Sequence, residues 1–172
     1  MKISIDHRFR GINREAYERL FFDDAFNDAM IYVAGFKARE VLERRDHGGR
    51  RFQKLKIVPD HVPALVQKLA QGEFWYIDET WFDPERHVAE WTSQPSLMTE
   101  KLRLSGQIRF LETPDGCRRI LDVDVTVNMF AVGVFVEKKI AESLIESYEK
   151  IADFTQDWVS SHPNYPAPAR TE

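Results

Sequence analysis

Only one cysteine, Cys117, occurs among the 172 residues. That excludes an internal disulfide framework and a cysteine-based zinc cluster, and it fits a reducing compartment. No run of about 18 apolar residues is present, so no transmembrane helix is expected. The opening MKISIDHRFRG lacks the apolar stretch of a secretory signal, and a cytoplasmic protein is expected. Glycine and proline number eight each, too few for a collagen-like or low-complexity chain. His7, His47, His61, His87 and His162 are scattered, with no pair at i, i+4 and no HExxH, so no metal site is expected. GxSxG, GxxxxGK[ST] and GxGxxG are all absent. Phosphoryl transfer and dinucleotide chemistry therefore have no support, and no cofactor is expected. What remains is an ordinary globular composition, 43% hydrophobic and 30% charged, of a size to bury one substantial core.

The net charge of −4 is unevenly spread. Residues 37–56 carry eight basic side chains against Glu40, Glu43 and Asp46, a local +5, which leaves −9 elsewhere. The overall acidity argues against nucleic acid as a partner. The basic stretch is either a solvated hairpin face, where Lys and Arg guard an exposed strand, or a transient contact with an anionic membrane.

Hydrophobic periodicity orders the elements. Residues 2–9 alternate, with Ile3, Ile5, His7 and Phe9 on one side, as a half-buried strand requires. Asn13 is a fitting N-cap for a short helix whose stripe is Tyr17, Leu20 and Phe21, and Asp23 or Asp24 for a second over roughly 24–33 that Gly35 closes. Strands follow: 36–46 and 50–58 around the turn Asp46-His47-Gly48-Gly49, 72–82, 86–93, 97–112 and 118–130. A short helix or irregular crossing is expected at 62–70. Gly106 is expected to bend or bulge its strand. From about 135 to 159 the period changes to that of a long amphipathic helix carrying Ile140, Leu144, Tyr148 and Ile151. A single domain over 1–160 and a Pro-rich flexible tail over 161–172 complete the reading. The architecture is α+β: a curved antiparallel sheet of about seven strands wrapped on a long C-terminal helix, with two short helices after the first strand.

This order and these lengths resemble the START-like (helix-grip, SRPBCC) superfamily over about residues 1–160. The residues carrying the likeness are Val62-Pro63 with LVQKL, Tyr76-Ile77-Asp78-Glu79-Thr80, Phe82-Asp83-Pro84-Glu85, Trp91-Thr92 and the stretch 134–150. The chain looks most like uncharacterised bacterial START-like domains, with a looser likeness to PRELI-type lipid-transfer domains. The resemblance implies a hydrophobic cavity between sheet and helix, in a fold that hosts many functions.

In such a cavity Trp75, Ile77, Trp81 and Trp91 would form an aromatic wall. Leu102, Leu104, Ile108, Val123, Val125 and Val127 would line the sheet, and Ile140, Leu144, Tyr148 and Ile151 the helix. Alternation puts Glu79 with Trp75, Ile77 and Trp81. If that face is inward, Glu79 is a buried carboxylate able to move a proton or hold a polar head group. In the opposite phase it is exposed, and Phe74, Tyr76 and Phe82 are buried. Asp122 and Asp124 share a face opposite Leu121 and Val123, so exposure and pairing with Arg103 or Arg109 is expected rather than a metal. His7 reads as a core histidine, and Cys117 as an inert thiol. The leading expectation is a non-enzymatic binder, or carrier, of a hydrophobic small molecule or lipid. The alternative is a polyketide cyclase or dehydratase that uses Glu79, Glu90, His7 or Tyr148 as acid and base. A third reading fills the space with the chain's own side chains.

Overall fold

The computed structural model describes residues 1–62, 64, 67, 73–97 and 100–164. The short helix expected over 62–70 and the tail beyond residue 164 lie outside the described residues. In chain order the elements are β1 (Lys2–Arg10), α1 (Arg14–Phe21), α2 (Asp24–Met30), β2 (Phe36–His47), β3 (Arg50–Pro59), β4 (Tyr76–Asp83), β5 (Val88–Pro95), β6 (Leu102–Thr113), β7 (Gly116–Val127) and α3 (Gly133–Ser161). The seven strands form one antiparallel sheet in the order β1-β7-β6-β5-β4-β3-β2. The first strand thus pairs with the last, and the rest is a meander of short connections. This is the α+β architecture that the periodicity predicts, one antiparallel sheet with a long C-terminal helix and two short helices after the first strand.

Local chemistry sets the ends. The Asn13 side chain accepts from the Ala16 amide at 2.8 Å and the Asp23 side chain from the Phe26 amide at 2.9 Å, so both short helices start on capped N–H groups. Helix α2 stops at Met30, three residues before the sequence reading ends it, and a turn closes at Gly35 with φ +79°. His47 pairs with Arg50 across Gly48 and Gly49, both at positive φ, the backbone of a tight two-residue hairpin.

Gly106 does not bulge. It pairs in unbroken register with Trp91 on one side and Val123 on the other. Glycine is needed there for space: a Cβ would stand 2.0 Å from the Asp122 carbonyl oxygen and 3.1 Å from the Trp91 ring. Gly106→Ala is expected to cost about 2–3 kcal/mol in chemical denaturation. A loss below about 0.5 kcal/mol would mean that the strands can simply part there.

Cross-strand registers define the two faces. One row runs Val125, Leu104, Ser93, Asp78, Leu55, Val41 across β7 to β2. Val125 is wholly inaccessible and packs in the core, so this row faces the helices. Three residues along, the row Asp122, Gln107, Glu90, Trp81, Phe52, Arg45 faces outward. The dense core lies where α1 and the C-terminal half of α3 meet β1, β6 and β7: Phe9, Tyr17, Phe82, Phe110, Leu121 and Val159 are all buried. Helix α3 packs on β7, β1 and α2. Phe26 of α2 holds Phe154 and Trp158 of α3 at ring distances of 5.8 and 5.7 Å. Among the described residues α3 makes no comparable packing with β2–β5.

Candidate functional site

The inward face changes character along its rows. Near β7 the expected lining residues Leu102, Ile108, Val123, Val125 and Val127, and Ile151 of α3, are fully buried. Towards β4, and along the N-terminal half of α3, side chains that face inward keep accessible surface. These are Leu104, Trp91, Ser93, Tyr76, Asp78 and Leu55 on the sheet, and Ile140, Leu144 and Tyr148 on the helix. The first group is packed core. The second borders the side of the sheet from which α3 stands away.

Asp78 is the chemically distinctive member. It lies deep enough that desolvation pushes its carboxyl up to about 7, with the Ser93 hydroxyl, its cross-strand neighbour, drawing it partly back. Its Oδ1 is buried with no hydrogen-bond partner. Burial also raises Tyr76 well above the usual phenol value and pushes Tyr148 up to about 12, and the Asp78 charge adds to both shifts. Asp78 thus combines a desolvated carboxyl with a side chain that is not wholly sealed from solvent.

A second polar group lies on β1, β7 and α1. Arg119 is buried, donates to the Tyr17 hydroxyl at 3.0 Å and meets Nδ1 of His7 at 2.9 Å. Its guanidinium also lies over the rings of Phe9 and Tyr148, at 5.3 and 5.2 Å. Nε2 of His7 stands 3.1 Å from a Glu149 carboxylate oxygen. Burial first, and the Arg119 charge second, lower the His7 pKa, so this is the hydrogen-bonded core histidine that the sequence suggests. Burial pushes the Cys117 thiol up to about 12, which keeps it protonated and unreactive.

Three of the expected wall residues lie elsewhere. Alternation in β4 puts Ile77, Glu79 and Trp81 on the outer face, so the opposite phase holds. Phe82 and Thr80 are buried inward and Asp78 goes with them. Glu79 forms an ion pair with Lys54 at 2.8 Å, and Trp81 packs on Phe52 at 4.8 Å beneath Arg45. The Trp75 ring, just before β4, lies beneath Lys56 at 5.2 Å. Of the four aromatic-wall candidates only Trp91 falls in an inward row, its indole Nε1 buried without a partner. Glu79, Trp81 and Glu90 instead border an open groove of about 960 Å³ on the outer face. Asp122 is there too, tied to Ser4 at 2.7 Å and Arg109 at 2.9 Å. Among the described residues no cluster of three potential metal ligands occurs.

The basic stretch is largely neutralised. Arg39 and Arg44 reach Asp24 at 3.3 and 2.6 Å, Arg45 reaches Glu43 at 2.9 Å, Arg50 reaches Asp83 at 3.3 Å and Arg51 reaches Asp46 at 3.5 Å. Arg39 and Arg44 thereby tie the hairpin to α2. Sequence reasoning also missed a pair bridging α1 to the β4–β5 turn, where Nδ1 of His87 lies 2.8 Å from the buried Glu18 carboxylate. His87 holds a left-handed φ of 55°, which no local sequence pattern signals.

No curated protein matches the sequence. Among solved structures the fold is shared with a protein of Thermus thermophilus at 17% identity, covering 94% of this chain and 98% of that one with a TM-score of 0.66. It is shared with the Zhui aromatase/cyclase of a Streptomyces species at 14% identity, 99% and 100% coverage and a TM-score of 0.62. A START superfamily protein of Mycobacterium smegmatis follows at 14% identity, 94% and 97% coverage and a TM-score of 0.56. The fold is therefore START-like. A family model described as "protein of unknown function (DUF2505)" matches residues 5–159, nearly the whole chain, and the protein belongs to that family.

Proposed function

We propose that the protein binds one hydrophobic small molecule or lipid in the space between the N-terminal half of α3 and the β4–β6 region of the sheet. The observation that carries this reading is the split of the inward face. Leu104, Leu144, Ile140 and Tyr148 face inward yet remain accessible, whereas their neighbours Leu102, Val125 and Ile151 are sealed. Apolar surface left open inside a fold gains about 25 cal/mol per Å² when a ligand covers it, before the entropic costs of binding. The START-like fold, shared with an aromatase/cyclase and a START superfamily protein, supports the binding of a hydrophobic ligand in general. The pairing of the basic hairpin with carboxylates leaves less free charge for contact with an anionic membrane, so hydrophobic binding does not depend on that contact.

An enzymatic reading is favoured by one observation, Asp78. A carboxyl that titrates near neutrality can both give and take a proton, and Tyr148 stands on the facing helix. Proton transfer during cyclisation or dehydration would then fall to Asp78. Glu79 and Glu90, considered for that role from sequence, are on the outer face.

The test is uptake of N-phenyl-1-naphthylamine, a neutral fluorophore that brightens in apolar surroundings. One site per chain is expected. Leu144→Trp, which places a large ring in the space, is expected to abolish uptake while the melting transition stays in place. Undiminished uptake by Leu144→Trp would put the ligand elsewhere.

A further inference from the structure

The inward face of β4, opposite α3, carries an acid. Asp78 sits in the middle of an inward row whose other members are Val125, Leu104, Ser93, Leu55 and Val41. Its Oδ1 is buried and accepts no hydrogen bond. An unsatisfied carboxylate oxygen in an otherwise apolar wall costs free energy unless something donates to it, and so calls for an explanation. We propose that the ligand of this space is an alcohol or phenol on an apolar body, and that its hydroxyl donates to Oδ1 of Asp78. This rests on the binding reading above and goes on to specify the head group.

The neighbours select against the other head groups. A carboxylate or phosphate would bring a second negative charge beside Asp78 in a low-dielectric site. Among the groups acting on Asp78 there is no cation to offset it: burial and the Ser93 hydroxyl are the two influences, and Arg119, on β7, spends its terminal nitrogens on Tyr17 and His7. A cationic amine would carry a full charge and three donors out of water to a carboxyl that burial holds near neutrality, a desolvation cost that one acceptor oxygen does not repay. The groups close enough to sense Asp78 are the phenols of Tyr76 on β4 and Tyr148 on α3, with Ser93 on β5 already hydrogen-bonded to it. Burial holds both phenols protonated, so they can donate to or accept from a ligand oxygen without adding charge. A neutral hydroxyl is the head group that satisfies Oδ1 without introducing an unpaired charge.

Four probes of similar size separate the outcomes: naphthalene, 2-naphthol, 2-naphthoate and 1-naphthylmethylamine, titrated calorimetrically at pH 7.5. The wild-type protein is expected to bind 2-naphthol roughly ten- to a hundredfold tighter than 2-naphthoate, the range of a hydrogen bond to a charged group. The amine is expected to bind no better than naphthalene. Asp78→Leu is expected to bring 2-naphthol down to the affinity of naphthalene, and Asp78→Asn to admit 2-naphthoate. Naphthalene reports on the space alone and is expected to bind the wild type and both variants alike. If naphthalene binds but 2-naphthoate or the amine equals 2-naphthol, the head-group proposal falls and the binding reading stands. An unchanged 2-naphthol preference in Asp78→Leu has the same meaning. If none of the four binds, both fall.

Discussion

Replacing Asp78 by Asn is expected to stabilise the protein by about 2–4 kcal/mol at pH 8 and to change almost nothing at pH 4. Burial raises this carboxyl from its ordinary 3.8 to about 7. In the unfolded chain Asp78 loses its proton near pH 4, whereas in the folded protein it keeps it until about pH 7. Its contribution to stability is therefore fully present below the unfolded value and is lost as pH rises through the folded one. A shift of about three units corresponds to an upper limit of about 4 kcal/mol, at 1.36 kcal/mol per unit. Asparagine keeps the size and the polar contact to Ser93 but does not titrate. Urea midpoints of the two proteins should coincide at pH 4 and separate progressively towards pH 8. A difference that does not vary with pH would mean that the carboxyl is solvated in the folded state.

Phe110→Ala should cost about 3–5 kcal/mol, the usual range for emptying a buried phenylalanine site. Phe110 is 2% exposed, on the inward face of β6. Its ring contacts Tyr17 and Phe21 of α1 at 5.8 and 5.6 Å and Phe82 of β4 at 5.9 Å. No other ring joins α1 to both β4 and β6 among the described contacts. The loss should reach the site as well. α1 leads into α2, and Phe26 of α2 holds Phe154 and Trp158 of α3. A loosened α1–α2 pair weakens the support of the helix that covers the ligand space, so N-phenyl-1-naphthylamine should bind less tightly to Phe110→Ala even at temperatures where it is folded. Guanidinium unfolding checks the first effect. A cost under about 1 kcal/mol would show that neighbouring rings collapse into the vacancy.

The fold was legible because most elements carry one unambiguous period. In β7, Leu121, Val123 and Val125 alternate with Asp122, Asp124 and Thr126, and the structure buries the first set and turns the second outward. The caps Asn13 and Asp23 and the Gly48-Gly49 turn were equally explicit, since each supplies a backbone need that few residues meet. The site was harder, because β4 has large side chains on both faces. Trp81 looks like a buried residue in sequence. In the fold it belongs to a small outer cluster with Phe52 and Arg45, on the face of the sheet opposite α1 and α3. The alternation leaves the phase of that strand open, and an aspartate such as Asp78 is by default expected on the solvent side, so nothing in the pattern singles it out. The cross-strand partner of Glu79 carried the correcting signal: Lys54, two residues beyond the buried Phe52, is an ion-pair partner suited to an exposed strand face. The Arg119–His7–Tyr17 group had no such signal, because Arg119 lies more than 100 residues from the other two, meeting His7 through the β1–β7 pairing and Tyr17 through the packing of α1 on β7.

The claim that a ligand space lies between α3 and the sheet is tested most directly by native mass spectrometry of the full-length protein purified from its own host, followed by denaturing extraction. The account predicts one small, mainly apolar molecule per chain, carrying a hydroxyl and released on unfolding. A bare polypeptide mass, with no uptake of added long-chain alcohol, phenol, fatty acid or phospholipid, would contradict it and leave the inward face of β4 as core.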